Sequence, residues 1–476
     1  MASGFDLCIL GAGPAGFAAA VRARDLGKRV ALVEPGRVGG TGLHEGALSS
    51  KTMWHLSNDY ARSRRTGRGF KAEKIDVSYR SVTASVDEAV GERRALLCKQ
   101  LELMTADIEL VAGAGKFVAA NRVKIEPSGR EIEADYFLIA TGSTPRLLPG
   151  VDVDGEVIVT SDHIEGWNEF PGSMVVVGSG VVGCEYATIF GHYGQTAISM
   201  IDRRERILPF EDEDVAECVT GCFEDMGVRI HKRAQLQSLV RKGDGVEYVI
   251  DCGGDIQTHQ VDRALISIGR VPRVNDLGLE AAGVELGKRG GVRSDGTRTS
   301  VPHIFAAGDA TCDVALANVA EMEGRHAVET MFDEEPVPIR YDALSTIMFL
   351  EPEVASVGLG EQKAREDGIP YRAARLDNRL ISRNVAMRNT TGFIKLLASP
   401  DHKLLGLRVV GPQASSCIQG IALLMDLGAD LRAIDHCVHP HPAVTEGVQE
   451  CARLLLGRSL LKPELIDGAT VIEYQP

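Results

Sequence analysis

Hydrophobic positions along this chain fall into short runs that stop at glycine and give way to longer stretches with helical spacing. Phe5 to Leu10 is the first such run and predicts a strand. Gly11-Ala12-Gly13-Pro14-Ala15-Gly16 predicts a tight turn, and the alanine-rich stretch to about Leu26 predicts a helix. Arg29 to Val33 predict a second strand, which ends in Glu34. The same order returns further along. Met174 to Val177 predict a strand, Gly178-Ser179-Gly180-Val181-Val182-Gly183 a turn, Cys184 to Tyr193 a helix, and Ala197 to Ile201 a strand ending in Asp202. Two further runs, Tyr136 to Gly142 and Ile304 to Asp309, read as strands closing on Ala140-Thr141-Gly142 and Gly308-Asp309.

A glycine turn set between a strand and a helix is suited to a dinucleotide. The first glycine permits the turn, the second lets a pyrophosphate approach the backbone, the third lets helix pack on strand, and the helix N-terminus adds a positive dipole. Gly11, Gly13, Pro14, Ala15 and Gly16 are thus candidate contacts for one dinucleotide, and Gly178, Gly180, Val181, Val182 and Gly183 for a second. Glu34 lies 23 residues after Gly11 and Asp202 lies 24 after Gly178, where a carboxylate accepts from ribose hydroxyls. At Asp202 this favours NAD(H) over NADP(H). Arg203 and Arg204 follow at once and could bind a 2′-phosphate, so NADP(H) stays open.

Composition narrows the class. The 476 residues favour several domains, and 44% hydrophobic with 25% charged residues excludes a disordered, collagenous or coiled-coil chain. A net charge of −14 disfavours nucleic acid as a partner. The one basic run, Arg62 to Lys74, reads as a solvated loop. No apolar stretch is long enough for a membrane span, and no secretory layout opens the chain, so a cytoplasmic location is expected. The 10 cysteines lack CxxC pairs and ligand-type Cys/His clusters, so no metal is expected. Cys218 and Cys222 would share one helix face, a spacing that reads as packing.

Taken together, these residues resemble the flavoprotein pyridine nucleotide-disulfide oxidoreductases over nearly the whole chain. The likeness rests on Gly11 to Gly16 with Glu34, Gly39-Gly40-Thr41 through Ser50-Lys51, Ala140-Thr141-Gly142, Gly178 to Glu185, Gly269-Arg270, Ala307-Gly308-Asp309, Pro352-Glu353-Val354-Ala355, and His441-Pro442 with Glu446. Gly183 to Phe190 looks most like the soluble transhydrogenase branch. The resemblance implies an α/β chain with two Rossmann-like dinucleotide-binding domains, for FAD and NAD(P), plus a C-terminal α+β dimerisation domain. The expected segments are 1–150 for FAD, 151–272 for NAD(P), a central segment 273–345 completing the FAD domain, and 346–476 for the interface of a homodimer. It also implies FAD contacts at Pro35, Gly40, Thr41, Lys51, Gly115, Thr141, Gly142, Ser143, Asp309 and Ala317, and nicotinamide-nucleotide contacts at Glu185, Arg203 and Gly269. Lys51 would stand by flavin N5 and pair with Glu185. His441, held by Glu446, would be the acid/base group supplied across the dimer.

One segment departs from the resemblance. The family places two cysteines five apart ahead of its lysine, whereas this chain has Gly42 and Ala47 there. Neither can form a thiolate or a mixed disulfide, so thiol exchange has no carrier at that site. The loss of bulk should open a small space on that face of the flavin. The expected reaction is hydride transfer from NAD(P)H to FAD and then electron delivery to a small-molecule acceptor such as a quinone or dye. His441 would protonate the acceptor, with His44 a second candidate. A transhydrogenase between NAD(H) and NADP(H), and a flavin-binding sensor with little turnover, are the alternatives.

Overall fold

The computed structural model describes residues 4–70, 72, 74–332 and 336–476. The chain forms two compact units, Met1–Phe170 with Leu265–Ile339, and Pro171–Ala264 with Arg340–Pro476.

In the first unit the parallel strands run in the order Ile108–Ala112, Val30–Glu34, Phe5–Leu10, Glu131–Ile139, Ile304–Ala306. Leu7 and Ile9 point to one face and Cys8 and Leu10 to the other, and each face has its own buried core. That is why Leu7 to Leu10 reads as an unbroken apolar run: a parallel strand is covered on both sides. Glu131–Ile139 starts earlier than Tyr136 because its first half, alternately exposed and buried, pairs antiparallel with Arg122–Glu126. The later run stops at Ala306, and Gly308–Thr311 curls into a 3₁₀ turn. The strand from the 304–306 region therefore joins a sheet begun at residue 5. Helix Ala317–Met331 packs on helix Pro14–Asp25 so closely that a Cβ on Gly324 would lie 2.2 Å from the Ala15 carbonyl oxygen.

Residues 151–170, expected with the second segment, belong to the first unit. Tyr79, on helix Tyr79–Leu103, donates to the Ile164 carbonyl at 2.7 Å and packs on Trp167 and Phe170. Residues 265–272 join it too, because Arg270–Pro272 pairs antiparallel with Ser143–Pro145. Of the basic run, Arg62 lies in the last turn of helix Ala47–Ser63, residues 64–70 have no regular helix or strand, and 71 and 73 lie outside the described residues.

The second unit repeats the glycine-turn device. Strands Arg229–His231, Ala197–Ile201 and Ser173–Val177 are parallel, and helix Val181–Tyr193 begins three residues earlier than expected because Gly180 caps it. An antiparallel trio follows, Gln235–Lys242, Gly245–Asp251 and Ile256–Val261. The C-terminal part is a six-stranded antiparallel sheet whose core packs against helices Ser415–Asp426, Leu431–His436 and Glu446–Leu456. Ser345–Met348 lies at one edge and Ala469–Tyr474 at the other.

Asp212, Asp214 and Glu361 converge closely enough to hold a cation. The cation there is Lys395, whose buried ammonium lies 2.8, 2.6 and 2.6 Å from them. Burial alone would lower its pKa, but the three carboxylates hold it above the ordinary lysine value. Lys395→Met leaves those acids facing one another and is expected to cost about 3 kcal/mol in chemical denaturation, since breaking a buried ion pair strands its partners.

Candidate functional site

The first glycine turn is held from both sides. The Gly11 amide donates to Val33 O at 2.8 Å, and Gly11 adopts φ +106°, with a hypothetical Cβ only 2.3 Å from Ala140 O. A Cβ on Gly16 would fall 1.8 Å from Gly11 O, so helix and strand touch through bare backbone. Gly13 differs, since nothing lies within 4 Å of the place its Cβ would take. Glu34 fixes the rim: its carboxylate accepts from the Ala12 amide at 2.7 Å and the Gly36 amide at 2.8 Å. Gly39 donates to Ala12 O at 2.9 Å, and Gly40 approaches Gly13, which brings Thr41 and exposed Pro35 to the same mouth.

The second turn has the same construction. Gly178 donates to Ile201 O at 2.9 Å, Gly180 is open like Gly13, and Val181, Val182 and Gly183 form the first helical turn. Asp202 accepts from Ser179 N at 3.0 Å, Ser179 Oγ at 2.6 Å and Arg204 N at 2.9 Å. Burial alone would raise its pKa, but these donors and the Arg204 charge hold it below the ordinary aspartate value. Arg203 and Arg204 are exposed beside it.

A third group gathers at the strand ends of the first unit. Asp309 accepts from Ser143 Oγ, and Arg270 Nε donates to that same hydroxyl at 2.7 Å while its Nη2 donates to Ser143 O at 3.0 Å. Thr141 Oγ1 donates to Arg273 O at 2.7 Å, and Gly142 and Gly269 both have positive φ in open space. Ala317 begins its helix. Gly115 sits in strand Ala114–Ala119 with its missing side chain accounted for by Leu10 and Val123. Arg270 as the strap on Ser143 was not anticipated. Its position after Gly269 was the only signal.

Lys51 lies on helix Ala47–Ser63, half-buried, with Nζ 3.3 Å from Ser50 Oγ. Glu185 is buried in the second unit and accepts from the Phe349 amide at 3.1 Å. His441 is exposed. Its Nδ1 lies 2.8 Å from Glu446 Oε1, while Glu446 Oε2 accepts from Ala443 N at 2.8 Å. Burial alone would raise the Glu446 pKa, but the Ala443 amide and His441 keep it below the ordinary glutamate value. Glu446 also opens helix Glu446–Leu456, where the dipole favours a carboxylate. His44 is buried, with Nε2 3.0 Å from Val38 O, and burial pushes its pKa down.

The space expected over Gly42 is not present on its Cβ side. A Cβ there would lie 2.6 Å from Pro14 Cγ, so the proline ring already fills the place where a larger residue would begin. All ten cysteines are free thiols. Cys8, Cys184, Cys417 and Cys451 are buried, and burial pushes each well above the ordinary thiol value.

Glu165, in the turn Ser161–Gly166, carried no sequence signal. Burial pushes its carboxyl up to about 7, with nearby Asp87 and Glu45 adding and Ser49 and Arg37 opposing. Its folded pKa lies above its unfolded value, so its stabilising share is complete below about pH 4.5 and is lost as pH rises through about 7. Glu165→Gln is expected to stabilise the chain by about 1–2 kcal/mol more near pH 8 than near pH 5 in denaturation curves.

The residues thus gathered fit two dinucleotides: two open glycines, two amide-locked acids and a carboxylate strapped at the strand ends. Comparison with known proteins identifies the family. The pyridine nucleotide-disulphide oxidoreductase model matches residues 5–324, and the dimerisation-domain model of the same family matches 344–452. Dihydrolipoyl dehydrogenase of Geobacillus stearothermophilus is 32% identical over 464 residues, covering 95% of this chain and 96% of its own. That of Chlamydia muridarum is 33% identical over 471 residues, covering 97% and 99%. Among solved structures, LpdA of Mycobacterium tuberculosis superposes with TM-score 0.87 at 30% identity, covering 94% of this chain and 99% of its own. The Escherichia coli flavoprotein disulfide reductase RclA shares the fold, with TM-score 0.85 at 23% identity over 95% and 100% of the two chains.

Proposed function

Because the chain belongs to the pyridine nucleotide-disulphide oxidoreductase family, an enzyme family that works with FAD and NAD(H), we propose that it is an NAD(P)H:acceptor oxidoreductase whose acceptor is not a disulfide. FAD, when bound, supplies a ring that takes hydride from the nicotinamide and gives electrons up again. The single observation behind the acceptor reading is Gly42 with Ala47, residues without sulfur where the resemblance calls for a thiol pair. The crowding of Gly42 by Pro14 supports it, because the loop is packed for a hydrogen atom there.

The chain's own residues divide the work. The Gly13 and Gly40 backbone and Glu34 hold one dinucleotide at its pyrophosphate and ribose, and Asp309, aimed by Ser143 and Arg270, holds the chain leading to the flavin ring. Gly180 and Asp202 hold NAD(H). Lys51 would steady negative charge at the flavin edge. His441 passes a proton to the acceptor across the homodimer that the dimerisation domain builds, and Glu446 fixes its tautomer by taking the Nδ1 side. No helix among the described residues is long and apolar enough to cross a membrane. A cytoplasmic site of action is part of the proposal.

A transhydrogenase is the second reading, favoured by exposed Arg203 and Arg204 beside Asp202. Steady-state assays with NADH and NADPH against quinones, dyes, oxygen, lipoamide, glutathione disulfide and an NAD analogue separate the readings. A quinone or dye should be the fastest acceptor. A disulfide outrunning all of them would sink the proposal, and fast NADPH-dependent reduction of the NAD analogue would select the second reading.

A further inference from the structure

Helix Glu213–Asp225 places Asp214, Cys218 and Cys222 at every fourth position, and so along one face. That spacing makes the two thiols neighbours on one face, and both are half-buried, sheltered yet reachable. Charge is unequal along this stripe. Arg375, on strand Tyr371–Asp377, lies over the Phe393 ring at 4.2 Å with its Nε 3.6 Å from Asp214. It faces Cys218, with Asp214 and Asp377 opposing, whereas Cys222 faces Glu351 and Asp225. The neighbouring Cys222 thiol, then the Arg375 guanidinium, draw the Cys218 thiol below its ordinary value, and the Cys218 thiol with burial pushes Cys222 up.

This pair is poorly placed to become a disulfide. Positions four apart on a helix keep their Cβ atoms about 5–6 Å apart, whereas a disulfide needs about 3.5–4.5 Å. A single larger atom set between the two sulfurs needs no such closure. The geometry points to Cys218 and Cys222 as a two-sulfur chelate site for a soft, thiophilic centre of the trivalent-arsenic class, separate from the flavin chemistry. A hydrated arsenoxide carries two hydroxyls on arsenic. Two As–S bonds form as two As–O bonds break, each hydroxyl leaves as water with one thiol proton, and no electrons are transferred. The second bond closes intramolecularly, so the chelate far outlasts a single As–S bond.

The test uses flavin-loaded protein and phenylarsine oxide. One arsenic per chain should appear in the intact mass with the loss of a pair of titratable thiols, and a small dithiol should remove it where a monothiol does not. Cys218→Ser and Cys222→Ser should each weaken retention by about a hundredfold or more, while Cys312→Ser and Cys437→Ser should not. Flavin retention and circular dichroism report whether each variant folds, and Cys218→Ala is a second way to remove the sulfur. NADH-to-dye turnover of the loaded wild type should be unchanged. Absence of the adduct, or an adduct that survives Cys218→Ser, Cys218→Ala and Cys222→Ser, would overturn the assignment.

Discussion

Lipoamide and glutathione disulfide should be turned over at least about a thousandfold more slowly than a quinone or dye, since a reaction deprived of its attacking nucleophile keeps only binding and orientation. A disulfide is opened by a thiolate, and the segment Gly39 to Lys51 contains none. Anaerobic titration should then take up a single electron pair per FAD, without the long-wavelength absorbance of a thiolate beside flavin. Iodoacetamide should leave turnover intact, because the cysteine it reaches most readily, exposed Cys437, has no part in the proposed transfer. Restoring the sulfurs is not simple. Gly42→Cys with Ala47→Cys drives a Cβ to 2.6 Å from Pro14 Cγ, so little disulfide turnover is expected until Pro14 is trimmed to Ala as well. Uptake of a second electron pair by the unaltered chain would mean a working disulfide elsewhere, and the acceptor proposal would fail.

The parts legible in the sequence were those set by neighbours in the chain. Phe5 to Leu10, the glycines after it and Glu34 all lie within 30 residues, and spacing alone located the turn, the helix and the terminal acid. Long-range partners were hidden. Nothing in Ile304 to Ala306 says that it pairs with Phe137 to Ile139, and nothing in Arg270 says that it straps Ser143 beneath Asp309. Residues 151–170 read as the start of the next segment because their tie, Tyr79 on Ile164, spans 85 positions. Lys395 and its three acids look like four solvated charges until the fold buries them together. Gly42 was legible as a missing thiol but not as a crowded position, since crowding depends on Pro14.

Gly13→Val should leave the fold standing and strip the protein of FAD by about a hundredfold or more in affinity, while Gly16→Ala should damage the fold itself by about 3 kcal/mol or more. At position 16 a Cβ would enter the Gly11 carbonyl at 1.8 Å, and backbone cannot step aside as a side chain can. Position 13 is different on every local count. Its φ is −73°, which any residue adopts, and no atom lies within 4 Å of a Cβ there. Gly180 repeats both facts with φ −78°, so Gly180→Val should raise the KM for NADH by about a hundredfold while the flavin stays bound. Flavin absorbance after gel filtration, thermal melts and NADH kinetics read the three variants. If Gly13→Val keeps its flavin, the first turn does not hold a pyrophosphate. Neither backbone angle nor any protein neighbour calls for glycine at 13 or 180, so what needs the room at both turns is a group from outside the chain.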